Sequence, residues 1–322
     1  MNAGEILSAF PKLRVLVVGD VCLDRWCRYD PSLSEPSRET GIPRTAVVSA
    51  EVTAGAAGTI ANNLVALGAG RVSVLGVIGD DGNGVELTRA LARNRIETEL
   101  LLRSPMVPTF TYTKLINVAT GVEDLPRIDF VYDNLPGKVD DELVDSLRRA
   151  WTEFDLVLVS DQAETPGGGA VTESLRRMLT TLGEERLVWV DSRKRPELFR
   201  GIILKPNRDE AQEALERIGV KDYGALREHT AANLLVITHG PEGVLLVDHA
   251  GESWVRTRPV QNPVDICGAG DSFSAGAAMA LQVTGSNVDA AKFGNLVASI
   301  TIMKQGTGVA TPAEVLAAAA KT

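Results

Sequence analysis

Short, continuously apolar runs at 15–18, 72–78, 156–159, 187–190, 202–204 and 234–237 recur along the chain, with helix-like stretches between them. Rich in Val, Ile and Leu and without polar alternation, they suit strands covered on both faces, as in a parallel sheet. The intervening segments 59–67, 85–94, 140–154, 171–182, 209–218 and 289–303 carry helical spacing. Alternation of the two predicts βαβ units and helices on both faces of a mainly parallel central sheet, an α/β fold built as a three-layer α/β/α sandwich.

Two segments break the alternation. Residues 44–53 and 109–118, rich in Thr, Val and Tyr, read as half-exposed strands. They are expected to form a small β lid, drawn from about 25–53 and 107–132 and inserted in a single domain of residues 1–322. No internal repeat, low-complexity tract or long linker divides the chain.

Composition narrows the partners. A formal charge of −9 argues against nucleic acid or an anionic membrane, both of which need a basic footprint. Cys22, Cys27 and Cys267 have no metal-ligand spacing and, with His229, His239 and His249, make a poor zinc set. Reduced thiols are expected. The N-terminal ten residues lack a basic region ahead of an apolar run, and no stretch nears the roughly 18 apolar residues of a membrane span, so the expected location is cytoplasmic.

Asp265-Ile266-Cys267-Gly268-Ala269-Gly270-Asp271 names a chemistry. A glycine turn emptying into a helix start presents backbone N–H groups backed by the helix dipole, a setting for a phosphoryl group. An acid there, Asp271, reads as a base taking a proton from a hydroxyl nucleophile, with the N–H groups around Gly268, Ala269 and Gly270 as the anion hole. The plainer reading of the segment alone makes Asp271 only a helix N-cap and the glycines only a turn, and the companion motifs decide against it.

Together with five further segments in order, this one resembles the ribokinase (PfkB) family of carbohydrate kinases. They are Gly19-Asp20-Val21-Cys22-Leu23-Asp24; the run 55–64; the glycine-rich turn 76–84; Lys205-Pro206-Asn207-Arg208-Asp209-Glu210; and Thr238-His239-Gly240-Pro241-Glu242-Gly243. The start of the chain, residues 108–115 and Arg127-Ile128-Asp129-Phe130 look most like the bacterial heptose 7-phosphate kinases. Ala56 replaces part of the family's double glycine, Thr59 stands where an asparagine is common, and Ile116 where heptose kinases tend to be basic.

The resemblance implies a ribokinase-like fold and an ATP- and Mg²⁺-dependent kinase acting on a hydroxyl of a sugar or sugar phosphate. It implies acceptor contacts at Asp24, Gly55, Ala56 and Asn63, and nucleotide contacts at Asn207, Thr238, Gly240, Gly243 and Asn295; by position, Lys114 in the expected lid is a candidate contact to a substrate phosphate, and Lys194, after a strand, one to the nucleotide phosphate or the product side. Asn207 and Glu210 are expected to hold Mg²⁺ through water, and Asp265 to help order a monovalent cation such as K⁺. Read alone, Asn207 and Glu210 make a capping box, Asn63 and Asn295 are helix polars, Asp24 and the 238–243 segment ordinary turns, and Asp265 a structural hydrogen-bonding group. Arg38 and Arg44 are further lid cations, more often solvated than bound.

Exposed lid edges predict a homodimer joined through the lid. The alternatives are a kinase of a nucleoside or free hexose, and a non-catalytic nucleotide or sugar sensor on the same fold. A dinucleotide oxidoreductase is disfavoured, because no G-x-G-x-x-G follows the first apolar run.

Overall fold

A computed structural model describes residues 2–321. Helix α1 (Ala3–Ala9) leads into strand β1 (Arg14–Gly19), after which β2 (Val21–Tyr29) and β3 (Val47–Ala56) leave the main sheet. The chain returns through α2 (Ala57–Ala66), β4 (Arg71–Gly79), α3 (Gly82–Arg93) and β5 (Leu101–Ser104), then leaves again for β6 (Thr111–Asn117) and β7 (Ile128–Phe130). Next come α4 (Gly137–Ala150), β8 (Leu156–Asp161), α5 (Glu173–Leu182), β9 (Leu187–Ser192), β10 (Ile203–Leu204), α6 (Arg208–Ile218) and α7 (Tyr223–Thr230). The remainder is β11 (Leu234–Thr238), β12 (Val244–Asp248), β13 (Gly251–Val255), α8 (Ala269–Thr284), α9 (Asn287–Thr301) and α10 (Pro312–Ala319).

The main sheet runs β13-β12-β11-β10-β9-β8-β1-β4-β5. It is parallel except where β12 and β13 fold back at one edge. Its two-residue period divides the core. Val15 and Val17 of β1 join the cluster under α1, α2, α3, α8, α9 and α10, while Leu16 and Val18 join the one under α4 to α7. This is the expected three-layer arrangement.

The second sheet, β3-β2-β6-β7, was only half expected. Its central strand β2 begins at Val21, so Asp24 lies within a strand and not in a turn after β1. Strands β2 and β6 run parallel, placing Asp24 beside Tyr112 and Trp26 beside Lys114. Because side chains alternate between faces, Asp24, Trp26 and Arg28 share a face with Tyr112, Lys114 and Ile116. That face lines a cleft.

The return from β3 into α2 is strained. Ala56 has φ 53° and ψ −119°, a conformation in which a Cβ is unfavourable. Ala56→Gly is therefore expected to stabilise the fold by about 1 kcal/mol, strain relief outweighing the extra unfolded-state entropy. A higher urea midpoint at unchanged m-value checks it; an unchanged or lower midpoint refutes the strain.

Candidate active site

The cleft, of ≈ 900 Å³, lies between that sheet face and the start of α8. Asp24 and Lys114 come from one wall, Ala56 and Thr59 from the β3–α2 junction, and Gly268 and Asp271 from the helix start. Glycine at 55 sets the first wall. A Cβ there would lie 2.4 Å from Asp24 Oδ2 and 2.7 Å from Cys22 Sγ, so Gly55 acts through Asp24 by leaving room for its carboxylate. Burial raises the pKa of Asp24, opposed by Lys114, the Cys22 thiol and Arg127.

The opposite wall is the first turn of α8. Gly268, its N-cap, takes φ 76°, a left-handed conformation suited to glycine. Ala269 N–H already donates to Ile266 O (3.2 Å), which leaves the amides of Gly270 and Asp271, unpaired within the helix as at any helix start, as the candidates for the expected anion hole. Asp271 is partly exposed in the cleft. Burial and then repulsion by Asp191 push its pKa up to about 8 against the pull of Lys205, with Asp24 and Glu210 adding to the rise.

Beneath the helix start sits Lys205, 3% exposed, with Nζ 2.9 Å from Asp191 Oδ2. Ser274 Oγ donates to the same oxygen at 3.3 Å. Burial works against the ammonium charge, but Asp191 and Glu210 outweigh it and hold the lysine pKa above its usual value. The sequence reading gave Lys205 no role. Its signal was a charged residue directly after a buried apolar run, a position that demands a partner.

Asn207 and Glu210 do form the capping box: Glu210 N–H donates to Asn207 Oδ1 (2.9 Å), and Asn207 N–H to Glu210 Oε2 (2.7 Å). Burial, then Asp191, nevertheless raise Glu210 to about 7 against the opposing effect of Lys205. Thr238 joins this group, its N–H donating to Pro206 O at 3.1 Å. Gly243 has φ 108°, and a Cβ there would meet Val255 O at 2.3 Å. Gly240, at φ 54°, opens the same turn, which His239 N–H closes onto Gly243 O (2.8 Å).

Other expected contacts are placed differently. Lys194 is exposed and does not line the cleft, whereas Arg193 does, because the chain leaving β9 turns Arg195 inward and Arg193 toward the opening. Asn63 is fully buried on α2, its Nδ2 donating to Thr59 O (3.0 Å) while Oδ1 has no protein partner. Asn295 Nδ2 donates to Val255 O at 3.4 Å, tying α9 to β13. Asp265 accepts from Cys267 N–H (2.9 Å) and Gly306 N–H (3.0 Å), so it braces the glycine turn against the C-terminal loop.

A buried network supports the cleft from below. Asp20, 3% exposed, accepts from Gln162 N–H (2.8 Å) and Ala170 N–H (2.6 Å). Arg195 pairs with Asp161 (2.7 Å) and donates to the carbonyls of Pro166, Gly168 and Val171. Together they fix both ends of the segment 162–171, which carries Gln162 and Glu164 to the cleft.

Comparison with known proteins agrees with this architecture. A family model described as pfkB family carbohydrate kinase matches residues 12–314. The chain is 32% identical to the bifunctional protein HldE of Trichlorobacter lovleyi over 320 residues, which are 95% of this chain and 62% of that protein. It thus spans less than two thirds of that relative. It is 31% identical to the D-beta-D-heptose 7-phosphate kinase of Bordetella bronchiseptica over 310 residues, 94% of this chain and 95% of the other.

Among solved structures, phosphofructokinase-2 from Escherichia coli in complex with potassium superposes with a TM-score of 0.72 at 17% identity, covering 96% of this chain and 99% of that one. The nucleoside kinase of Burkholderia thailandensis in complex with inosine gives 0.67 at 18% identity, covering 94% and 96%.

Proposed function

The chain belongs to the pfkB family of carbohydrate kinases, and on that premise we propose that it transfers the γ-phosphoryl group of ATP to a hydroxyl of a sugar or sugar phosphate, with Asp271 as the base. The observation that carries this reading is the meeting of Asp24 and Asp271 in one cleft, the first on the sheet face and the second at a helix start. Asp24 accepts hydrogen bonds from acceptor hydroxyls and holds one toward Asp271. Asp271 takes the proton of that hydroxyl as it attacks. The N–H groups of Gly270 and Asp271, with the dipole of α8, stabilise the charge on the transferring group, and Lys205 anchors Asp191 beside them.

The residues present suit magnesium. Asp191, Glu210 and Asp271 surround one ammonium group, and repulsion from Asp191 adds to burial in raising the pKa values of Glu210 and Asp271, a crowding of carboxylates that a cation would relieve. Among the described residues no three Asp, Glu, His or Cys side chains form a ready-made metal cage, which favours holding the ion through water and phosphate oxygens, with Glu210 and Asn207 nearest. Bound there, magnesium neutralises charge on the donor phosphates. The part of Asp265 toward a monovalent cation is to order the loop, since both its oxygens accept backbone N–H groups.

Closure of the four-stranded sheet over the acceptor would exclude water. Exposed Val47, Val48, Ile128 and Phe130 on its outer strands support a homodimer through this sheet. No helix among the described residues is long and apolar enough to cross a membrane. A second reading, a free sugar or nucleoside as acceptor, is favoured by Ile116, an apolar residue on the cleft wall.

The test is ADP release from Mg·ATP over phosphorylated sugars, free sugars and nucleosides. Turnover confined to one acceptor class identifies it. Nucleotide binding without turnover on any acceptor would instead favour a sensor.

A further inference from the structure

Glu164 Oε1 lies 3.9 Å from Arg127, just before β7, and 3.6 Å from Arg193, just after β9. All three side chains line the cleft, and all are more than a third exposed. One carboxylate oxygen thus sits loosely between two guanidinium groups from different parts of the cleft lining, at distances too long for hydrogen bonds. Two arginines converging on one anionic position is the arrangement that recognises phosphate. We propose that Glu164 is a displaceable counter-ion in an anion subsite formed by Arg127 and Arg193, and that the group displacing it is a phosphate already carried by the acceptor.

Three features support this assignment. Arg127 lies over the Tyr112 ring (5.1 Å) and is held by Asp129 (2.6 Å), so its guanidinium is fixed in place. In the β6–β7 register Tyr112 faces Asp129, the residue that holds Arg127, and two residues on along β6 Lys114 lies over the Trp26 ring (4.5 Å), a second cation on the same cleft lining. Arg127 and Lys114 both act on Asp24, which ties them to the acceptor wall.

Glu164 is itself carried on the segment whose ends Asp20 and Arg195 pin down. It can swing aside without the cleft rearranging. A neutral acceptor leaves it in place, whereas a phosphate takes over both arginines and links the two parts of the lining. Ile116 is then no obstacle to phosphate recognition, because the cations come from elsewhere in the cleft.

The acceptor assignment rests on the kinase reading, but the binding test does not need turnover. Inorganic phosphate is the probe, titrated by thermal shift against wild type, Glu164→Gln, Arg127→Gln and Arg193→Gln. These exposed positions leave the core intact. Glu164→Gln should tighten phosphate binding about three- to fivefold, the scale of losing an exposed ion pair. Each arginine variant should weaken it about tenfold or more.

The same pattern is expected with saturating Mg·AMP-PNP. Exclusion of phosphate by the analogue would assign the arginines to the donor and overturn the proposal. So would a phosphate affinity unmoved by these substitutions, or no phosphate binding by wild type. Retained phosphate binding with no turnover on any acceptor would sink the kinase reading and leave the anion subsite standing.

Discussion

Asp271→Asn is expected to lower kcat by about 10²- to 10⁴-fold, the usual contribution of a general base, with the affinity for ATP little changed. An isosteric amide keeps the helix start and removes only the proton acceptor. The pH profile discriminates further. With its pKa pushed up to about 8, Asp271 of the free protein is largely protonated at neutral pH. Log kcat/KM should therefore rise with pH and level off above about 8, not above 4.

Stability should run the other way. A carboxyl whose folded pKa exceeds its unfolded value holds its proton more tightly when folded, so stability is lost as pH rises from about 4 to about 8. Asp271→Asn should then melt above wild type at pH 8 to 9, the difference vanishing near pH 4. An inactive variant with no such gain would leave Asp271 essential but not destabilising. A variant retaining more than a tenth of wild-type kcat would remove it from the base role.

Arg195→Met is expected to destabilise the fold by about 3–5 kcal/mol, the cost of leaving a buried charge without its partner. Asp161 is 2% exposed, and Arg195 also serves three backbone carbonyls that no methionine can satisfy. The pKa of Asp20 stands at about 6, raised by burial and then Asp161 and held down in part by Arg195, so the loss extends to the anchor of the 162–171 segment. Urea denaturation at pH 7 measures the effect. The exposed pair Arg148 and Asp145 is the comparison, where Arg148→Ala should change stability by under about 0.5 kcal/mol. Equal effects at both positions would refute the role assigned to the buried network.

The main sheet was legible because its inner strands are covered on both faces. The apolar runs at 15–18, 72–78, 156–159, 187–190 and 234–237 fall within β1, β4, β8, β9 and β11. Strands with an exposed face were harder. In β2, Asp24 and Arg28 interrupt the apolar pattern because one face of the strand meets the cleft, while Arg25 on the other face pairs with Glu86, and the edge strand β13 is exposed over most of its length. Short β5 follows the polar segment 97–99 and carries no turn signal of its own. Helix α10 was not among the expected helices, although Thr311 and Glu314 form a capping box at its start.

Of the residues named from contiguous motifs, Asp24, Gly268 and Asp271 meet in one cleft, with Gly55 against Asp24. Asn207 and Glu210 were ambiguous in the sequence because cap and ligand use the same atoms, and the structure shows the cap in place. Lys205, Asp191 and Glu164 gain their importance from partners far along the chain, and periodicity carries no information about such pairs.

The helix that bears Asp271 is buried from Ser272 to Leu281 and packs so closely on α9 that a Cβ at Gly276 would lie 2.9 Å from Val297, and one at Gly294 2.7 Å from Phe273. Almost any change there disturbs the core. The wall opposite is a partly solvated sheet whose cleft-facing residues touch few buried neighbours. On the proposed function, the base and the acceptor contacts would then sit on separate pieces of polypeptide, so that changes in β2, β6 and the segments flanking the cleft would alter the molecule recognised while the α8 start stays fixed.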